Sequence, residues 1–186
     1  METGIPKIAL FVVVSGCLVY VSWKSLIVVR SHGFYRFFSF EAILALILIN
    51  FEAWFSNPFS TLQIVSWVFL LASLICVGQG IYLIKVLGKP DHNRQDSTLL
   101  LFEKTSTLVT SGIYRYIRHP LYASLLFLSC GVFLKEVSWY SLALTLSAIF
   151  FLIATAKADE AECIRYFGQP YQEYMTRTKM FVPGVF

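Results

Sequence analysis

The run Leu62-Gln-Ile-Val-Ser-Trp-Val-Phe-Leu-Leu-Ala-Ser-Leu-Ile-Cys-Val-Gly-Gln-Gly-Ile-Tyr-Leu-Ile84 contains no charged residue. A helix needs about 20 apolar residues to cross the hydrocarbon core, because lipid offers no partner for a free backbone N–H or C=O. Leu62 to Ile84 meets that length, and the rest of the chain agrees with it. Of 186 residues, 57% are hydrophobic and only 14% are charged, with a mean hydropathy of +0.67. Average soluble domains carry roughly 25% charged residues, enough to form a hydrated shell. This chain cannot form one. Its composition excludes disorder, a disulfide-stapled secreted module and an ordinary cytosolic enzyme.

Four more apolar runs flank the first. Ile8 to Val29 is broken only by Lys24, and Phe40 to Phe55 carries Glu41 and Glu52 near its two ends. Leu121 to Leu134 is apolar but short, and Ser138 to Ala156 is uncharged. The expected architecture is all-α and polytopic, one membrane domain with spans near 8–29, 40–55, 62–84, 117–134 and 138–156. The fourth run reaches spanning length if its helix begins early, near Tyr116.

Charge asymmetry supports five crossings. With five, Arg30, Arg36, Lys85, Lys89, Arg94, Lys104, Arg115, Arg118, Lys157, Arg165, Arg177 and Lys179 share one side, and only Lys7 and Lys135 face the other. Positive residues stay cytoplasmic, so the N-terminus is expected outside and the C-terminus inside. The long polar stretches, Lys85 to Pro120 and Lys157 to Phe186, then share the cytoplasmic face. No cleavable leader is expected, since the first apolar run exceeds signal-peptide length.

The first stretch opens with the polar turn residues Gly88-Lys89-Pro90-Asp91-His92-Asn93-Arg94 and closes with LVTSGIYRYIRHPLY, Leu108 to Tyr122. Ser111-Gly112 reads as a turn and Pro120 as the first residue of a helix. That helix would start with open N–H groups beside Arg118 and His119, a setting that attracts anions. Tyr114, Tyr116 and Tyr122 add aromatic faces. The same residue types also serve as ordinary interfacial anchors.

In the second stretch, Asp159, Glu160 and Glu162 follow the last span. The helix is expected to stop at Gly168 and a short one to start at Pro170, with Tyr171 and Tyr174 on one face. The alternative is a solvated amphipathic tail. Three carboxylates beside an anionic membrane surface count against a mere anchor.

Other residues carry less. Cys17, Cys76, Cys130 and Cys163 form no Cys-x-x-Cys pair and read as buried free thiols. His32, His92 and His119 lack metal-ligand spacing, so no metal is expected. No basic cluster is dense enough for nucleic acid. Glu52 reads as a snorkelling residue, and Gly78 and Gly80 as helix-packing positions.

Together, Leu108 to Tyr122, the acidic helix and FGQPYQEYMTRT resemble the isoprenylcysteine carboxyl methyltransferase group and its bacterial phospholipid-methyltransferase-like relatives. The shared order is a Gly-Ile-Tyr turn, Arg-His-Pro-x-Tyr, a hydrophobic hairpin, an acidic pair, then Phe-Gly-x-x-Tyr-x-x-Tyr and a late proline. The likeness covers roughly Thr107 to Pro183. It implies methyl transfer from S-adenosyl-L-methionine to a lipidic acceptor, in a cytoplasmic pocket built from segments 104–122 and 155–183. By position it implies cofactor contacts from Thr107, Leu108, Val109, Tyr114, His119, Pro120, Tyr122, Asp159 and Glu160. Arg118, Thr155 and Lys157 become candidates for the acceptor. Thr155 stands where the group usually has an arginine associated with that acceptor, so a prenylcysteine carboxylate is not specifically indicated. An NADPH-dependent reductase of the sterol-reductase type shares Arg-His-Pro-x-Tyr, but Ala123-Ser124 follows here instead of glycine and an acidic residue. A non-catalytic cofactor-binding membrane protein is the third alternative.

Overall fold

The computed structural model describes residues 4–89 and 104–185. His92, Arg94 and most of the polar loop expected after Gly88 lie outside the described residues. Among the described residues six α-helices follow one another: α1 (Gly4–Ile27), α2 (His32–Ile49), α3 (Thr61–Leu87), α4 (Pro120–Phe133), α5 (Trp139–Phe167) and α6 (Gln169–Arg177). Short 3-10 turns occupy Phe51–Ala53 and Gly112–Arg115. No strand occurs among the described residues, only an isolated parallel bridge between Ile117 and Lys179.

Helices α1, α2, α3 and α5 are long and apolar enough to cross a membrane. Their exposed surface says the same: Ile8, Val12, Tyr20, Trp23, Val68, Leu74 and Phe150 all point outward. Such apolar surface is stable only against lipid. The chain is an integral membrane protein.

Neighbouring helices run antiparallel, which defines two ends of the bundle. At one end, Gln63 of α3 donates to Lys135 O at 2.9 Å. One turn further along, Ser66 Oγ donates to Gly131 O at 2.7 Å, and at the other end Tyr114 OH donates to Gly80 O at 3.4 Å. Gly80 permits that approach, since a Cβ there would sit 2.9 Å from Leu121. Gly78, expected to help in the same way, has open space around it. Helix α5 packs along α2, with Phe38 stacked on Phe151 at 5.2 Å and Ala42, Ile43 and Ala148 buried together. On the outer side α1 packs against α2, where Ser15 Oγ donates to Glu41 at 2.9 Å.

Two sequence expectations move. The second helix covers His32–Ile49 rather than 40–55. Ser31 caps it by accepting from Phe34 N, so the helix starts inside a polar segment. Glu41 is therefore mid-helix, and Glu52 sits in a 3-10 turn paired with Lys7 at 2.8 Å.

The fourth helix does not start near Tyr116. Tyr116 O accepts from Lys179 N at 3.0 Å, Arg118 N donates to Lys179 O at 2.8 Å and His119 N donates to Met180 O at 3.2 Å. Those backbone groups are committed to a C-terminal strap, so helix begins only at Pro120. At 14 residues α4 is about 21 Å long, short of a hydrocarbon core of about 30 Å. It nonetheless runs from the level of Gly80 to that of Gln63, because its flanking turns complete the distance. Helix α5, at 29 residues, is about 43 Å long and extends its acidic segment beyond the apolar part.

Candidate functional site

The segment leading into α4, the extended end of α5 and α6 enclose a cleft. Ile117, Tyr122, Ala123, Leu152, Ala156, Met180 and Phe181 form the apolar base under it. Gly112 makes the turn leading in, with φ +61; a side chain there would be strained and would meet Leu83 at 2.5 Å. The extended segment Thr107-Leu108-Val109 then forms one wall. Gly168 ends α5, and α6 folds back so that Tyr171 and Tyr174 are both buried, as their shared helical face requires.

The cleft is partly open to solvent, and its cavity volume is about 120 Å³. Thr107, Leu108, Val109, Tyr114, His119, Pro120, Tyr122 and Asp159 line it, as does Arg118. Ile84, Thr105, Leu121, Cys163, Phe167, Tyr171 and Tyr174 complete the wall; none was singled out as a contact, and only Ile84 lies outside the segments 104–122 and 155–183 expected to build the pocket. Asp159, Cys163 and Phe167 follow one another at i, i+4 and i+8, so helical spacing from Asp159 was the signal that could have found two of them.

Glu160 faces another way. Consecutive helical residues point about 100° apart, so the two carboxylates cannot share one direction. Glu160 Oε1 accepts from Arg118 Nε at 2.7 Å and lies 3.3 Å from His119 Nε2. Arg118 is held further by the carbonyls of Met175 and Thr178. Asp159 Oδ2 lies 3.4 Å from His119 Nδ1. His119 is thus flanked by a carboxylate at each ring nitrogen. Burial disfavours its charged form, but the two carboxylates outweigh burial and raise the ring above its ordinary value. The imidazole stacks on Tyr122 with ring centroids 5.3 Å apart and meets Phe181 edge-on.

Tyr174 OH donates to Tyr114 O at 2.6 Å, fixing α6 to the turn before α4. Burial pushes the Tyr171 and Tyr174 phenols up, so both keep their protons. Of the acceptor candidates, only Arg118 reaches the cleft. Thr155 is buried and donates to Phe151 O on its own helix at 2.7 Å, and Lys157 is exposed. None of the four cysteines is in a disulfide; Cys17, expected to be buried, is exposed on α1, and Cys76 is buried. No group of three metal-ligating side chains occurs among the described residues.

The donor set suits a ligand with mixed character. Asp159 offers a carboxylate to an ammonium or ribose hydroxyls, and Tyr114, Tyr122, Phe167, Tyr171 and Tyr174 offer π-faces to a sulfonium and a planar base. Extended backbone at Thr107 to Val109 offers amide groups. These are the features S-adenosyl-L-methionine would require.

Comparison with known proteins points the same way. Human protein-S-isoprenylcysteine O-methyltransferase is 37% identical over 84 residues, covering 44% of this chain. The chain spans only 29% of that relative's length. No solved structure matches. Residues 67–170, more than half of the sequence and including most of the cleft wall, match the phospholipid methyltransferase family. The chain belongs to the phospholipid methyltransferase family.

Proposed function

We propose that the protein transfers a methyl group from S-adenosyl-L-methionine to a lipidic acceptor within the membrane. The observation that carries this reading is the cleft itself: one carboxylate, one imidazole and five aromatic rings around a partly open cavity at one end of an apolar bundle. When bound, the cofactor supplies an electrophilic methyl group on a good leaving group. Thr107 to Val109, Tyr114, Pro120, Tyr122 and Asp159 hold it, and Glu160 acts behind them by fixing Arg118 and His119. Positioning two reactants in line supplies much of the acceleration, so the wall needs few acid–base groups. The acceptor comes from the lipid side, because the helices beneath the cleft are sheathed in apolar residues.

Segments 104–122 and 155–183 are the cofactor-binding parts of this domain. The cleft end faces the cytoplasm, with the N-terminus outside, as the positive-residue bias requires. The test is calorimetry with S-adenosyl-L-methionine and NADPH in parallel, followed by labelled-methyl transfer to lipid extract. The sulfonium cofactor should bind, and the label should enter lipid. Binding of NADPH instead would favour a reductase, and binding of S-adenosyl-L-methionine without transfer would favour a sensor.

A further inference from the structure

Two tyrosines of α6 share one buried face, and their hydroxyls are used differently. Tyr174 OH is committed to Tyr114 O at 2.6 Å. Tyr171 is 3% exposed, and its backbone N–H donates to Gly168 O at 3.2 Å. Its hydroxyl has no hydrogen-bond partner among the described residues. That oxygen is not among the polar atoms sealed off from solvent, and the residue lines the cleft. The ring is held on two sides: near-parallel to Phe167 at a centroid distance of 6.4 Å, and steeply inclined to Tyr174 at 5.8 Å. A phenol oxygen lies on the axis of its ring, so a fixed ring fixes the oxygen too. Phenylalanine would fill the same space without leaving a buried hydroxyl unpaired, which is unfavourable. A donor kept here without a protein partner signals one from outside the chain.

Tyr171 stands in the aromatic corner of the cleft. Along α5, Asp159, Cys163 and Phe167 succeed one another at helical spacing, so the wall passes from charged to aromatic toward Gly168. Arg118, His119 and Asp159 gather at the first corner, and Phe167, Tyr171 and Tyr174 at the second. S-adenosyl-L-methionine has the same division, with a charged amino-acid half and a neutral nucleoside half. The nucleoside suits aromatic faces, and its ribose oxygens and ring nitrogens are acceptors. Burial keeps the Tyr171 phenol protonated, so it meets them as a donor.

We propose that the Tyr171 hydroxyl is the hydrogen-bond donor that recognises the nucleoside half of the cofactor. This deepens the methyltransferase reading and rests on it. The hydroxyl gains its partner only when the ligand is bound, so it adds affinity without adding to the stability of the empty protein. Tyr174, three residues on, does the reverse. Its hydroxyl braces α6 against the turn before α4 whether or not a ligand is present.

The test compares Tyr171→Phe with Tyr174→Phe in detergent, using S-adenosyl-L-homocysteine and methylthioadenosine as probes. Methylthioadenosine keeps the nucleoside and lacks the amino-acid half. Empty Tyr171→Phe should melt like the unaltered protein. It should bind S-adenosyl-L-homocysteine about 3–10-fold more weakly in calorimetry, as for one lost neutral hydrogen bond. Methylthioadenosine, measured by displacement of labelled S-adenosyl-L-homocysteine, should lose the same factor. Empty Tyr174→Phe should melt lower, because it strands the Tyr114 carbonyl. Unchanged S-adenosyl-L-homocysteine affinity in Tyr171→Phe, melting temperatures that do not separate the two variants, or a loss confined to S-adenosyl-L-homocysteine would each overturn the assignment while the methyltransferase reading stands. So would failure of methylthioadenosine to compete for the unaltered protein. Failure of the unaltered protein to bind either S-adenosyl-L-methionine or S-adenosyl-L-homocysteine would overturn both.

Discussion

The two ends of the bundle bury charge in opposite ways. At the end away from the cleft, Lys135 is buried in the turn between α4 and α5, with its Nζ 3.0 Å from Gln63 Oε1 and 3.5 Å from the Trp67 ring centroid. Its neighbours are uncharged: Asn50 donates to Val132 O at 2.8 Å, and Trp54 lies 5.7 Å from the ammonium. Burial lowers the lysine's affinity for its proton, and no carboxylate is among the groups caging it. At the cleft end, Arg118, His119, His32 and Arg36 interleave with Asp159, Glu160 and Glu162 around open space. A single cation boxed by dipoles and rings ties three helices together. Alternating charges beside a cleft do that and also leave charge to offer a ligand.

Substitutions can break this contrast. The largest effect is expected from Glu160→Ala, which strips Arg118 and His119 of their shared carboxylate. Breaking a buried pair from one side costs about 3–5 kcal/mol. The melting temperature in detergent should fall steeply, and cofactor affinity should fall with it. If both are intact in calorimetry, the cleft is not the cofactor site. Next comes Asp159→Asn, which keeps the shape of the wall and removes one charge. Loss of a charge-assisted hydrogen bond worth about 1.5–3 kcal/mol should weaken S-adenosyl-L-methionine binding by roughly 10–100-fold, with a smaller effect on melting.

Lys135→Met probes the far end. It leaves Gln63 Oε1 short of a partner, so stability should drop by about 1–3 kcal/mol while cofactor affinity stays unchanged. Coupled loss of both would mean that the two ends are not independent. The mildest effect is that of pH on His119. Its affinity for a proton is raised in the folded state, so its contribution to stability is fully present below the ordinary imidazole value and is lost as pH rises through the raised one. Melting temperature should therefore decline from near-neutral toward alkaline pH, and His119→Gln should flatten that part of the curve.

The sequence made much of the cleft legible because its parts are local patterns: Ser111-Gly112 as a turn, Pro120 as a helix start, Gly168 as a helix end, and Tyr171 and Tyr174 on one face. Hydropathy located α3 and α5 for the same reason. The start of α2 was not legible. Arg30 to Arg36 lies ahead of the span expected at 40–55, yet His32 and Arg36 are buried, and the carboxylate that holds His32 is Glu162 on α5, 130 residues away. Ile84 was missed for a similar reason, since only the closing of the chain over α3 brings it to the wall. Glu160 was assigned the right neighbourhood and the wrong direction, a difference one helical step creates and composition cannot express.

The strap of residues 178–182 comes after every membrane helix in the chain. During synthesis, all five apolar helices can therefore be inserted and paired before Lys179 and Met180 reach Tyr116, Arg118 and His119. Until then the apolar base of the cleft lacks Met180 and Phe181, and Arg118 lacks the Thr178 carbonyl that helps to hold it. Insertion and activation become separate events in the protein's life. A ribosome stalled just short of the strap would leave a bundle seated in the bilayer but without a finished site.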